Sequence, residues 1–367
     1  MRNWESRQVI YDAELESWLR GNYTEQNKFL YIVGVGFDQR MCSGILRFKK
    51  AGIPFEVLKI YFNEGSASPS RKYRSYVEKN ESFLNDIVKN MKVMERKIDF
   101  WTKIGGEYGI AEKQSRFVGE INASKMVKDA RNIFEKYTDI ILDISALPQA
   151  IYLCVINALF KYSNPSQRIN IIVNENYSTD IQIEPCQAEE TAHELHGFAS
   201  PSDDANNILI WYPILGEKNN QFLSKFHNYL KNPLRVIDET CPVVPFPAVN
   251  VRRADDIIAF YSKNLFDDWR IEKKSLIYAS ETNPLLVRQN LYEASLNYAS
   301  ALSPLGNCKF VFSAITSKIM TVGMFLAAFD LKEKDYNVSI LSISNKGYNI
   351  REGTDNRPAN KLICLAV

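Results

Sequence analysis

Residues 139–160, DIILDISALPQAIYLCVINALF, decide the fold class. The first seven form an aliphatic run interrupted by Asp143, the length of a strand buried on both faces. A short turn follows, and then a segment that is apolar all round, the pattern of a helix covered on every side. The next run, RINIIVN (168–174), is again strand-like. Strand, covered helix and second apolar strand make a right-handed βαβ unit of a parallel sheet with helices on both faces.

The alternation extends in both directions. Towards the N-terminus FLYIVGVG (29–36), PFEVLKIYF (54–62) and KIDFW (97–101) read as strands. Helices are expected through CSGILRFKKAG, over 70–94 and over 123–136, and residues 4–26 (Trp4, Tyr11, Leu15, Trp18, Leu19) have the spacing of a leading amphipathic helix. Towards the C-terminus NILIWYPILG (207–216), LRVIDE (234–239), SLIYAS (275–280), KFVFSA (309–314) and NVSILSIS (337–344) read as strands. Between them lie helical patterns at NNQFLSKFHNYLKN, 254–266, 284–300 and SKIMTVGMFLAAF, and PVVPFPAV (242–249) is a proline-rich connection. The polar stretch 185–206 reads as a linker. The expected organisation is a leading helix (1–28), a Rossmann-like α/β domain (29–184), the linker, and a second Rossmann-like domain (207–367). LDISALPQAIYLCVINALF (142–160) and VFSAITSKIMTVGMFLAAF (311–329) align without a gap, each with a strand following at matching distance, which points to an internal duplication.

Composition narrows the function classes. The 367 residues are 46% hydrophobic and 24% charged, which excludes a disordered chain. Lys and Arg (45) nearly cancel Asp and Glu (43), so the chain lacks the basic excess of a dedicated duplex-DNA binder. The six cysteines are scattered without a CxxC, and Cys154 and Cys364 sit in apolar runs where a thiol acts as a small hydrophobe. No signal-peptide pattern and no run of about 18 apolar residues occurs, so a reduced, cytoplasmic protein without a membrane span is expected.

In an open parallel sheet the ligand lies beyond the carboxyl ends of the strands. After the first strand stands GVGFDQR: Gly34 and Gly36 permit close backbone approach, and Asp38 and Arg40 offer an acceptor and a bidentate donor. The alternative is a glycine turn serving strand-to-helix packing; the third glycine of a dinucleotide fingerprint is replaced by Gln39. After the second strand stands Glu64, placed as a ribose-binding carboxylate would be, followed by Arg71 and Arg74 in a loop that suits phosphate pairing or is simply a solvated helix start. Asp143, inside an apolar run, must have a partner. Ser145 is a helix cap or an anion ligand, and Gln149 can read a polar group. In the second half Ser313, Thr316, Ser317 and Lys318 occupy the equivalent turn and suit a phosphate. No GxxxxGK[ST], HExxH or GxSxG occurs; His193 and His196 are three apart in the polar stretch, and no metal is expected there.

A strand ending in DIS, or in a small–hydroxyl–lysine turn, before an apolar helix resembles the ligand turn of CRISPR-associated Rossmann-fold (CARF) sensor domains, D-[LI]-T-G-G-T-K. DISALPQ lacks both glycines and the lysine, while SAITSKIM keeps Thr316, Ser317 and Lys318 and lacks the acid. The resemblance implies a nucleotide or oligonucleotide messenger as ligand, and a sensor or regulatory role in prokaryotic stress or antiviral defence. Two other readings stand beside it. One is an enzyme cleaving a glycosidic bond of NAD or a nucleoside, with Glu64 or Asp143 as the catalytic carboxylate. The other is a non-catalytic assembly subunit. The expected cofactor, if one is used, is NAD or another nucleotide; the expected partners are a nucleotide-type small molecule and a second protein or a second copy of the chain.

Overall fold

The computed structural model describes residues 7–103, 115–176, 182–200, 207–231, 236–350 and 361–366. The chain forms two units, residues 1–187 with 345–367, and residues 188–344. The first runs β1 (Gln8–Tyr11), α1 (Asp12–Asn22), β2 (Phe29–Val35), α2 (Ser43–Ala51), β3 (Phe55–Asn63), α3 (Arg74–Val88), β4 (Val93–Asp99), β5 (Trp101–Lys103), β6 (Ser115–Phe117), α4 (Gly119–Asp129), α5 (Arg131–Phe134), β7 (Asp139–Asp143), α6 (Gln149–Tyr162), β8 (Arg168–Glu175) and β9 (Ile183–Ala188). All seven residues of β2 and all five of β7 are buried, the consequence of helices on both faces of a parallel sheet. Helix α6 is buried almost throughout and packs on α4, which explains its lack of a polar face.

The second unit runs β10 (His193–Glu194), β11 (Ile208–Leu215), α7 (Asn220–Leu230), β12 (Glu239–Thr240), β13 (Val243–Pro245), α8 (Arg253–Ser262), β14 (Ile277–Ala279), α9 (Pro284–Leu302), β15 (Cys308–Ile315), α10 (Lys318–Glu333) and β16 (Asn337–Ser342). Its sheet order is β10-β16-β15-β11-β13-β14, with β12 also on β11. Strands β11, β13, β14, β15 and β16 are parallel, and β10 is antiparallel on β16. Gly323 permits the close crossing of α10 on α9: a Cβ there would stand 2.5 Å from Val287 Cβ and 2.6 Å from the Pro284 carbonyl.

The chain then returns to the first unit as β17 (Asn345–Ile350) and β18 (Lys361–Ala366). The first sheet has the order β1-β18-β8-β7-β2-β3-β4; β8, β7, β2, β3 and β4 are parallel, and β18 is antiparallel to both β8 and β1. The parallel strands of both sheets therefore start in the middle, add two on one side, and reverse to add two on the other. The reversal lies between β2 and β7 in the first unit and between β11 and β15 in the second. Both units are α/β, with mixed sheets built mainly from parallel strands.

Several sequence expectations differ from this arrangement. Of the expected strand 234–239, residues 236–238 are not extended into a strand and only Glu239 belongs to β12, while residues 234–235 lie outside the described residues. The second strand of this sheet is instead β13, inside the stretch 242–249 expected as an irregular connection, because it pairs with β11 and β14. The leading helix begins at Asp12, and Gln8–Tyr11 before it is a strand paired to Ile363–Ala366. The expected linker is not unstructured: Ile183–Ala188 is β9, paired with β17, and His193–Glu194 extends the second sheet; residues 201–206 lie outside the described residues. The C-terminal segment belongs to the first unit rather than the second. In each case the deciding interaction is a strand pairing between residues far apart in the chain, which local periodicity does not register.

Candidate functional site

The first unit places Gly34 to Arg40 at the carboxyl end of β2, beside the reversal. Gly34 serves packing: a Cβ there would lie 2.4 Å from Leu147 Cδ2. Gly36 is different, because the nearest atoms to an added Cβ are Ala146 Cβ and O at 3.8 Å, ordinary contact distance. Asp38 and Arg40 engage each other. The Arg40 Nε donates to Asp38 Oδ1 and Oδ2 at 3.0 and 2.9 Å, its Nη2 to Oδ2 at 2.7 Å, and Asp38 also accepts from the Arg40 amide at 3.0 Å. With Asp38 at 8% and Arg40 at 4% exposure, this is a buried pair that fixes the turn Gln39–Cys42.

Asp143, at the end of β7, has the partners its burial demands. Its Oδ2 accepts from the Tyr31 hydroxyl at 2.7 Å and its Oδ1 from the Ser145 amide at 2.9 Å. Burial, and then the Asp143 charge, push the Tyr31 phenol well above its ordinary range and the Cys42 thiol up to about 12. Gly44 seats α2 on this pair, since a Cβ would meet the Tyr31 hydroxyl and Asp143 Oδ2. Ser145 Oγ accepts from the Asn174 amide at 2.9 Å, and Asn174 Nδ2 donates to Ser43 Oγ at 2.7 Å. This network ties β2, β7, β8 and α2 together. Asp143 and Ser145 are 1% and 0% exposed, so their positions are those of structural groups. Gln149, the first residue of α6, is half-buried at the same strand end.

Glu64 stands one residue beyond β3, the strand next to β2. It is half-buried, it accepts from the Ser68 hydroxyl at 2.5 Å, and no ion pair to it is found among the described residues. Phe37, directly after Gly36, packs on Tyr73 (ring centroids 5.5 Å apart) and on Tyr348 of β17 (6.2 Å). Burial, with a contribution from the Glu64 charge, raises the Tyr348 phenol to about 12. Arg71 and Arg74 turn away from this arrangement: Arg71 Nη1 donates to the Ser66 carbonyl, and Arg74, exposed, pairs with Glu78 one helical turn on. The solvated-helix-start reading fits both.

In the second unit the residues after β15 are also drawn into packing. Ser313 accepts from Trp211 Nε1 at 3.0 Å, and Thr316 Oγ1 donates to Met320 Sδ at 3.2 Å and lies where a Cβ on Gly216 would fall. Ser317 caps α10 by accepting from the Met320 amide, and Lys318, half-buried, is the first residue of that helix. Beside them Arg253 Nη2 donates to the Gly216 carbonyl at 2.9 Å, and its Nε lies 2.6 Å from Glu281 Oε1. Glu281 was invisible in the sequence, because nothing local marks it as the counter-ion of an arginine 28 positions earlier. Tyr348 and Tyr31 escaped for the same reason, each meeting its partners only across strands.

Glu194, between the two histidines of the polar stretch, accepts from Lys309 Nζ at 3.2 Å and from Ser339 Oγ at 2.6 Å, a structural role. Among the described residues no cluster of His, Cys, Asp and Glu has the arrangement to hold a metal, and no helix is long and apolar enough to cross a membrane.

No family model matches the chain, and no curated protein matches it. Among solved structures it is similar to the glycopeptide N-methyltransferase MtfA, at 11% identity and a TM-score of 0.20, over 52% of this chain and 67% of that one. It is similar to coclaurine N-methyltransferase bound to N-methylheliamine and SAH, at 9% identity and a TM-score of 0.22, over 97% of this chain and 71% of the other. A variant of FtsZ from M. jannaschii matches at 11% identity and a TM-score of 0.21, over 97% and 94% of the two chains. Scores of this size carry no argument about ligand or reaction.

Proposed function

We propose that the first unit binds a nucleotide-type ligand at the carboxyl ends of β2 and β3. The observation that carries this reading is the pairing of Gly36, where a side chain would make only ordinary contacts, with a half-buried Glu64 beyond the neighbouring strand, next to the reversal of strand order. A sheet of this order holds its ligand at that place, with the backbone of the first turn against phosphate or ribose and a carboxylate from the next strand on ribose hydroxyls. Gly36 and Glu64 are the binding residues, supported by Phe37 and Gln149; Asp38, Arg40, Asp143 and Ser145 hold the walls. A sensing or regulatory role in prokaryotic stress or defence is supported by the resemblance of the two turns to those of CARF domains. The like strand order of the two sheets supports the internal duplication read from 142–160 and 311–329.

The test is thermal unfolding with NAD, ATP, nucleosides and cyclic oligoadenylates. A ligand at a hundred times its Kd stabilises by about 2.7 kcal/mol, and Glu64→Gln, which removes a charged acceptor, should weaken binding by on the order of tenfold or more. A panel without any shift in midpoint overturns the reading. The enzymatic alternative is favoured by one observation, that Glu64 is a carboxylate engaged only by Ser68 among the hydrogen bonds of the described residues. Release of free base or nicotinamide by the wild-type protein, abolished in Glu64→Gln, would establish it.

A further inference from the structure

We propose that the β9–β17 ribbon is a strap across the ligand crevice of the first unit, docked when ligand is held and lifted when it enters or leaves. The inference rests on the nucleotide reading of that crevice. The two strands of the ribbon are paired with each other, not with the seven-stranded sheet. They are also where the chain leaves the first unit and where it re-enters.

The strap has a built seat. The amides of Tyr348 and Ile350 donate to Ser70 Oγ (2.9 Å) and Tyr73 Oη (2.6 Å), and Lys72 Nζ donates to Asn349 Oδ1 (2.9 Å). Gly347 is pressed into the same turn: an added Cβ would lie 2.7 Å from both Ser68 Oγ and Ser70 Oγ and 3.0 Å from Pro69 Cδ. Ser68 meanwhile donates to Glu64, so the turn that seats the strap also holds the crevice carboxylate. Tyr348 meets Phe37, which follows Gly36. The strap thus touches both strand ends that form the crevice and adds an aromatic ring to it, suited to a ligand carrying a planar base.

Its hold is polar and local. Strands β2 and β7 are buried at every position, whereas in β17 Gly347 is buried and Asn345, Tyr348, Asn349 and Ile350 are only half-buried. Segments held by a few hydrogen bonds that are only partly buried open more readily than the unit as a whole.

Cys186, on β9, reports the opening, because it is half-buried while the other five cysteines are buried. Native alkylation with N-ethylmaleimide, read by peptide mass spectrometry, should modify Cys186 before the others. Tyr73→Phe removes the hydroxyl that accepts from Ile350, and Gly347→Ala places a methyl group in the seat. Both should speed Cys186 alkylation, Tyr73→Phe by about fivefold or more, because its hydroxyl both accepts from the Ile350 amide and donates to the Ile350 carbonyl. A nucleotide that raises the unfolding midpoint should slow the reaction in wild-type protein, and slow it less in Gly347→Ala. Wild-type rates in both variants would overturn the strap, as would a bound nucleotide that leaves the Cys186 rate unchanged. Absence of any nucleotide shift overturns the reading of the crevice itself, and with it the gating role, even where the variants do speed alkylation.

Discussion

Replacing Asp38 by alanine separates a ligand residue from a structural one. Arg40 is 4% exposed and directs Nε and Nη2 to the Asp38 carboxylate through three contacts between 2.7 and 3.0 Å. Removing one member of such a buried pair costs about 3–5 kcal/mol, because the remaining charge is left in a medium that solvates it poorly. Loss of the capping bond to the Arg40 amide adds to this. Since the chain folds as two units, a single midpoint does not define the stability of one of them. Hydrogen exchange of peptides covering 29–35 and 139–143 isolates the first unit, and protection there should fall by a factor of about 10² to a few times 10³, at 1.4 kcal/mol per decade. The double variant Asp38→Leu with Arg40→Met should recover much of that loss, because apolar groups of similar volume carry no charge to strand. If Asp38→Ala costs less than about 1 kcal/mol and instead abolishes the nucleotide-induced shift, the pair faces ligand and the structural argument is wrong.

The two glycines after β2 should diverge under the same assay. Gly34→Ala should destabilise by about 1–3 kcal/mol by forcing Leu147 aside, whereas Gly36→Ala should leave stability nearly unchanged and weaken nucleotide binding. Equal costs at the two positions would contradict the packing assignment. Stability should fall above pH 9: burial raises the thiols of Cys42, Cys241 and Cys364 to about 12, so the unfolded chain loses these protons first. The stabilisation is whole below the unfolded thiol value and drains away as pH rises towards the folded one, by up to about 1.4 kcal/mol per pH unit per thiol; urea unfolding that is flat from pH 8 to 10.5 would refute it. Glu194→Ala should destabilise the second unit by about 3 kcal/mol, since it removes the carboxylate to which Lys309, 3% exposed, donates, while zinc or a chelator should leave the midpoint of the wild type where it is. A zinc-dependent midpoint would overturn the expectation that no metal is held at His193 and His196.

How far the site was legible depended on the distance between partners. A charge inside IILDIS signalled that Asp143 must be satisfied. That the donor is the Tyr31 hydroxyl followed only from the pairing of β2 with β7, which sets Val33 opposite Asp143 and brings Tyr31 within reach. Asp38 and Arg40, two residues apart, looked equally able to face a ligand or each other. Their burial together in a tight turn decided for each other. Glu64 was placed correctly beyond the second strand by its position after PFEVLKIYF, but the ring of Tyr348 came from a segment nearly three hundred residues away.

By itself the sequence determined the α/β class and most of the central strands. Strands covered on both faces must be apolar at every position, and that signal is local. Ser317, expected as a phosphate ligand, is in the structure the cap of α10, a role that depends only on the few residues that follow it. Tertiary structure alone decided that Gln8–Tyr11 and the last strand complete the first sheet, and that β9 and β17 pair beside the crevice. Those contacts join segments far apart in the chain. Their free energy comes from backbone hydrogen bonds and burial that exist only once the sheet they join has formed, so no window of sequence contains them.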